Sequence, residues 1–250
     1  MSLFRPRTPR ASHAGLVLPG RRAFLKGGLS LGALGLLTGC DTSNSDGIES
    51  ALRVVSGWND RVQGAIFSGT RLAPVFTEAE ITRPFPFNAY YGEDEAPSID
   101  GTKWKLELSG LIDDKRPLTL ADLRAMPQVS QITRHVCVEG WSAIGKWGGV
   151  PFRDFLARIG ADTKARYVGF RCADDYYNSI DMASALHPQT ILALDFPEAP
   201  NFKKYGYPLK LRIPTKLGYK NPKFITAISV TNDYPGGYWE DQGYNWFGGS

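Results

Sequence analysis

Cysteine and histidine are scarce in this chain. Its 250 residues hold three of each, and the cysteines are Cys40, Cys137 and Cys172. No Cys-x-x-Cys-His heme-attachment motif occurs. The shortage of Cys and His at characteristic spacing also argues against a structural zinc site and against an iron–sulfur cluster with about four protein ligands. Acidic residues are missing from positions 1 to 39, whereas six of the 29 Lys and Arg lie there. The remainder holds 23 basic against 25 acidic residues, a formal charge of −2. The basic balance therefore belongs to the N-terminus and gives no support for nucleic-acid binding. The apolar stretch from Gly27 to Gly39 is shorter than the ~20 residues that a membrane-spanning helix requires.

What is present suits one sizeable globular domain. Apolar residues make up 42% and charged residues 22%, ordinary values for a folded soluble protein. The 27 glycines, 17 prolines and 12% aromatics favour short strands and many turns over a helix bundle.

The N-terminus reads as a targeting segment. Arg21-Arg22-Ala23-Phe24-Leu25-Lys26 precedes the modest apolar run, the pattern of a twin-arginine export signal. Leu37-Thr38-Gly39-Cys40 has the form of a bacterial lipobox, so Cys40 is expected to become a lipidated first residue of the mature chain. Residues 1 to 39 are thus read as signal. Residues 40 to 83 are read as a tether, polar from Asp41 to Glu49, followed by an irregular segment. The expected location is the periplasm, with the membrane reached through the anchor.

From Trp104 onward the pattern becomes periodic. Trp104 to Gly110 alternates as a half-buried strand, and further strands are predicted over 131–136, 167–172, 178–182, 191–196, 209–214 and 224–231. Short helices are predicted over 119–126, capped by Thr119 and stopped before Pro127, over 151–160, and over 183–186. The fold class is α+β with a β-rich mixed core in a single domain. The Gly-, Tyr- and Trp-rich tail from Tyr234 is expected to pack across the domain surface.

Cys137 lies in the run Arg134-His135-Val136-Cys137-Val138-Glu139-Gly140-Trp141-Ser142. Three readings compete: a buried core thiol, a thiolate nucleophile activated by His135, or a metal thiolate. A single protein sulfur suits a metal whose other ligands come from an organic cofactor. In an extended strand Glu139 would share a face with Cys137.

The same run, followed by Lys146-Trp147-Gly148-Gly149-Val150-Pro151, resembles the cofactor loop of the sulfite-oxidase-fold molybdopterin oxidoreductases. The likeness is to the exported bacterial branch that includes a periplasmic methionine-sulfoxide reductase. Asn88-Ala89-Tyr90-Tyr91, Tyr205 to Pro214, Leu217 to Phe224 and Gly237-Tyr238-Trp239-Glu240 extend the match, so residues 84 to 250 are taken as the molybdopterin-binding domain. The resemblance implies a molybdenum–molybdopterin cofactor, with Cys137 as the metal's protein ligand. Asn88, Tyr91, Gly92, His135, Cys172, Tyr205, Lys210, Asn221 and Lys223 would contact the cofactor. Lys216 and Lys220 would join the basic cluster at its phosphate. Glu139 would relay protons, and Arg134 would hold an anionic group. The alternative of a Cys137–Cys172 disulfide, formed in an oxidising compartment, would rule the metal out.

The implied activity is oxygen-atom transfer on a small or protein-bound S- or N-oxide. Electrons would be exchanged with a separate redox partner, such as a membrane cytochrome. Sulfite dehydrogenation is the enzymatic alternative, and it needs several cations near the metal. A cofactor-free binding or assembly lipoprotein of the same fold, and a cysteine hydrolase, are alternatives of other classes. A monomer is expected.

Overall fold

A computed structural model describes residues 45–196 and 202–250. The signal, the lipobox and Cys40 lie outside the described residues. The chain divides into two compact units, Met1–Ala51 and Leu52–Ser250. The second unit starts well before residue 84 because segment 52–83 is tied to it. Val75 bridges Thr133, the Phe76 amide donates to the Ile132 carbonyl, and the Thr82 amide donates to the Ile144 carbonyl.

Part of the segment expected to be tether and irregular chain is helical. Helix α1 runs Ser45–Ile66. Leu52, Val55, Trp58, Val62 and Ile66 recur at three- and four-residue spacing, and no proline interrupts them. The prolines that suggested irregularity all lie beyond residue 73.

Two sheets form the body of the domain. The strands are β1 (Lys105–Gly110), β2 (Leu118–Thr119), β3 (Val129–Val136), β4 (Ser142–Pro151), β5 (Tyr167–Cys172), β6 (Tyr177–Asp181), β7 (Ile191–Asp195), β8 (Lys210–Arg212) and β9 (Ile225–Thr231). The first sheet has the order β2-β1-β9-β5-β6 and the second β3-β4-β7-β8. Only β1 and β9 pair in parallel; every other pair is antiparallel.

The short helices are α2 (Leu120–Arg124), α3 (Phe152–Arg158) and α4 (Met182–Ala185). Thr119 caps α2 through a reciprocal box with Asp122, as the sequence predicts. Asp181 caps α4 by accepting from the Ser184 amide. Pro151 is the residue before α3, and Gly160 follows the helix at φ +63°, a conformation glycine adopts without steric cost.

Strand β4 was not anticipated. The sequence reading assigns no element between Cys137 and Pro151, where Gly145, Gly148 and Gly149 interrupt the apolar pattern. The sheet uses the lack of a side chain at Gly149, where a Cβ would stand 1.9 Å from the Leu192 carbonyl oxygen. That approach lets β4 pair with β7 across a bulge at Gly148/Gly149.

Strand alternation places the core on both faces of the second sheet. Leu192 and Leu194 join the main core with Leu106, Val168, Phe170, Ile228 and α3. Ile191 and Ala193 face a second cluster of Phe85, Trp147, Phe196 and Tyr205. A strand buried on both faces reads as a continuous apolar run, which is why β7 shows no polar alternation.

Candidate active site

Strand β3 delivers the site. His135 is buried and Arg134 exposed, as alternation requires. The strand ends at Val136, and Cys137 opens a turn. The Cys137 amide donates to the Trp141 carbonyl, and its own carbonyl accepts from the Gly140 amide. Gly140 takes φ +92°. Glu139 therefore reaches Cys137 through a turn and not by sharing a strand face. Its Oε2 lies 3.6 Å from Cys137 Sγ and accepts a hydrogen bond from Trp141 Nε1 at 2.8 Å.

Cys137 is 7% exposed and opens on a cleft of about 120 Å³ that Asn88, Glu139, Lys210, Asn221 and Lys223 also line. Cys137 and Cys172 are both free thiols, which removes the disulfide alternative. Burial pushes the Cys137 thiol above its ordinary pKa, and the Glu139 charge adds to the shift. A protein-activated nucleophile needs the opposite shift. A metal, by contrast, deprotonates a coordinating thiol outright.

The floor of the cleft is cationic. Lys210 is largely buried and lines the cleft at 4% exposure. Burial, together with the neighbouring charges of Lys223 and Arg212, holds its pKa far below the ordinary lysine value. Its ammonium has no hydrogen-bond acceptor among the described residues. Lys223 Nζ donates to the Asn88 carbonyl at 2.6 Å, and burial lowers its pKa to about 8 against the opposing pull of Asp174. Both ring nitrogens of His135 are buried without a partner. Burial first, then Arg212, Lys210 and Lys223, keep its pKa well below the usual imidazole value. Gly218 lines the cleft against this ring, and a Cβ there would stand 2.7 Å from His135 Nε2.

Arg212 organises this floor, and sequence reading did not single it out. It donates to Thr133 Oγ1, to the Arg134 carbonyl at 2.6 Å and to Asn221 Oδ1, and it stacks 4.3 Å over the Trp147 ring. Asn221 Oδ1 also accepts from the Ile213 amide at 2.7 Å, while its Nδ2 donates to the Leu217 carbonyl. The Asn221 side chain thus sets the late turn from within. Trp239, within the Gly237–Glu240 motif, also lines the cleft, as do Asp174 and Tyr176, which lie outside the motifs.

Several expected site residues lie elsewhere. Arg134 points to the opposite side of β3, into a separate apolar cavity, because it alternates with His135. Tyr205 donates to the Phe85 carbonyl inside the second core cluster. Cys172 packs in the main core behind the cleft. Tyr91 donates to Asp174 Oδ2 at 2.7 Å and so braces a lining residue. The Gly92 amide donates to Glu95 in a neighbouring turn. Lys216 donates to the Phe247 carbonyl and pairs with Asp181, and Lys220 pairs with Glu240 in a buried ion pair. Those two lysines are absorbed by the fold and contribute nothing to the cleft's free charge.

A buried soft thiol, an orphaned imidazole and a partnerless ammonium define a site for a group that is both thiophilic and anionic. No cluster of three or more His, Cys, Asp or Glu that could hold a metal exists among the described residues. A metal at Cys137 must therefore draw its other donors from a non-protein group. The class so defined is a cofactor-dependent enzyme whose cofactor carries both metal and anion.

The profile of the oxidoreductase molybdopterin binding domain family matches residues 93–239. The chain belongs to this family, and its cofactor is molybdopterin with molybdenum. It is 62% identical over 233 residues to the putative protein-methionine-sulfoxide reductase subunit YedZ1 of Azospira oryzae, a match covering 93% of this chain and 89% of that protein. It is 29% identical to the catalytic subunit MsrP of Xanthomonas campestris pv. campestris, over 70% of this chain and 61% of that one. The sulfane dehydrogenase SoxCD of Paracoccus pantotrophus shares the fold at a TM-score of 0.51 and 18% identity, over 55% of this chain and 40% of that chain. The cleft fits the cofactor: Cys137 would hold the metal, and Lys210, Lys223 and His135 would meet its anionic portion.

Proposed function

We propose that this chain is the catalytic subunit of an exported reductase that removes oxygen from sulfoxides, free or within proteins, with electrons supplied by a separate membrane redox subunit. The observation that carries the reading is the carboxylate of Glu139 beside Cys137 Sγ at the open side of the cleft. The relatives named for methionine-sulfoxide reduction support it.

When bound, the molybdenum cofactor supplies an oxygen acceptor and a two-electron store. The chain's residues do the rest. Reduction of a sulfoxide consumes two electrons and two protons and releases water. Glu139 is the acid placed to carry those protons, and Trp141 Nε1 fixes its carboxylate. Tyr90, Tyr176 and Trp239 give the cleft aromatic walls for a neutral thioether. The sulfite alternative fares worse. Of the two cations it relied on, Lys210 lines the cleft but Arg134 faces away, and the Glu139 carboxylate would repel a dianion. The twin-arginine signal and the lipobox support export and anchoring.

Metal and pterin analysis of the purified protein, followed by steady-state assays with a reduced dye and either methionine sulfoxide or sulfite, tests the reading. Cys137→Ala should lose molybdenum and activity. Glu139→Gln should keep the cofactor and lower kcat at neutral pH by about 10²-fold. Full metal and activity in Cys137→Ala, or turnover of sulfite alone, would overturn it.

A further inference from the structure

Within the second unit, the part of helix α1 from Leu52 to Ile66 packs on the C-terminal tail with its polar side. From Leu52 onward, Asp60 accepts from the Trp246 and Phe247 amides, and Gln63 Oε1 accepts from the Gly249 amide. Asn245 donates to the Ser56 carbonyl, and Phe67, just after the helix, meets Phe247 edge-on. This reverses the ordinary arrangement, in which the apolar stripe is the buried one. Most of the apolar stripe is left outward: Leu52 is 63% exposed, Val55 61%, Trp58 63% and Ile66 77%, with Val62 half-buried among them.

The stripe continues past the helix. Leu72 is 59% exposed, and Ile66 and Leu72 rim an apolar cavity of about 520 Å³ that contains the side chains of Arg71 and Arg134. From Leu52 to Leu72 the one acid is Asp60, whose carboxylate accepts from the two tail amides, while Arg61 and Arg71 add positive charge. An exposed apolar band with a tryptophan, flanked by arginines and without a free acid, matches the boundary between anionic headgroups and acyl chains. No helix among the described residues is long and apolar enough to cross a membrane. Contact by this face would therefore be lateral. The chain before the helix adds a placement argument, since Cys40 of the lipobox precedes Ser45 by five residues.

We propose that the Leu52–Leu72 face lies on an anionic phospholipid surface, with Leu52, Val55, Trp58 and Ile66 in the interface and the arginines at the headgroups. The proposal draws on the export reading for its setting but makes a separate claim about the helix. It would hold the enzyme in a fixed orientation on the membrane, with the lipid on the side of β3 opposite Cys137.

The test uses the exported, cofactor-loaded protein mixed with phosphatidylglycerol-containing vesicles, some carrying brominated acyl chains. Trp58 emission is isolated by subtracting the Trp58→Phe variant. The expected result is a blue shift of the Trp58 component and its quenching by half or more. In protein whose Cys40 has been replaced by Ala, the double substitution Leu52→Glu/Val55→Glu should lower vesicle binding tenfold or more at unchanged pterin content. Trp58 emission indifferent to brominated lipid overturns the proposal, as does binding unaffected by the double substitution. The mass of the mature N-terminal residue decides the anchor separately. A lipidated protein with Trp58 in water sinks the helix proposal alone, whereas an unlipidated protein with quenched Trp58 sustains it and sinks the anchor.

Discussion

Replacing Lys210 by methionine should move cofactor loading and cofactor-free stability in opposite directions. The lysine is 4% exposed, and its neighbours Lys223 and Arg212 are both cationic. Methionine keeps the unbranched stem and removes only the ammonium. In the cofactor-free chain that deletes a buried polar group without an acceptor, whose burial costs about 1–3 kcal/mol. The variant should therefore melt about 2–12 °C higher than its parent, at roughly 2–4 °C per kcal/mol for a domain of this size. With cofactor present, the change removes a charge-assisted hydrogen bond worth about 1.5–3 kcal/mol. Affinity for the cofactor should fall about 10- to 100-fold, since each 1.4 kcal/mol is about tenfold. The assay compares thermal unfolding of both proteins from a molybdopterin-deficient host with pterin released from both after normal expression. A variant that melts lower without cofactor and still loads fully would show that the chain itself satisfies Lys210, and the anion-site reasoning would fail.

Glu240→Gln should destabilise the domain by about 3–5 kcal/mol, because it strands the charge of Lys220, whose side chain is 1% exposed. A fall in Tm of roughly 6–20 °C is expected, and Lys220→Met/Glu240→Leu should recover most of it; a fall under 2 °C in the single variant would contradict the pairing. Asp60→Ala removes the acceptor for two tail amides and should cost about 2–3 kcal/mol, read as faster hydrogen exchange at Phe247. The pH profile of the cofactor-free protein follows from Lys216 and Lys223, whose pKa values burial lowers to about 8. The unfolded chain keeps these protons until about pH 10.4, so it binds more protons than the fold above pH 8, and stability should rise from pH 8 to about 9.5. Above pH 10 the trend should reverse, because burial raises Tyr219 and Tyr234 above the ordinary tyrosine value and the unfolded chain loses those protons first. A chemical denaturation series across pH 7–11 that fell steadily from pH 8 would refute the assignment.

The local patterns of the chain determined much of its local structure. Alternation marked β1, short apolar runs marked β5 and β9, the Thr119 and Asp122 pairing marked the start of α2, and Gly160 marked the end of α3, because each signal needs only neighbours along the chain. The Cys137 segment also carried its own chemistry, since one thiol without companion ligands points to a metal completed by something else. Long-range placement decided the rest. Strand parity turned Arg134 away from His135, and that choice rests on which face of β3 the rest of the fold covers. Lys216 and Lys220 look in sequence like Lys210 and Lys223. Only the fold brings Asp181 and Glu240 to the first pair and leaves the second pair facing the cleft. Helix α1 shows the same division. Its periodicity is legible in the residues, but which side faces the domain was settled by the backbone amides of the C-terminal tail, which found their acceptors in Asp60 and Gln63. A charge or an apolar stripe acquires its role from what is packed against it, and partners distant in sequence are supplied by tertiary structure alone.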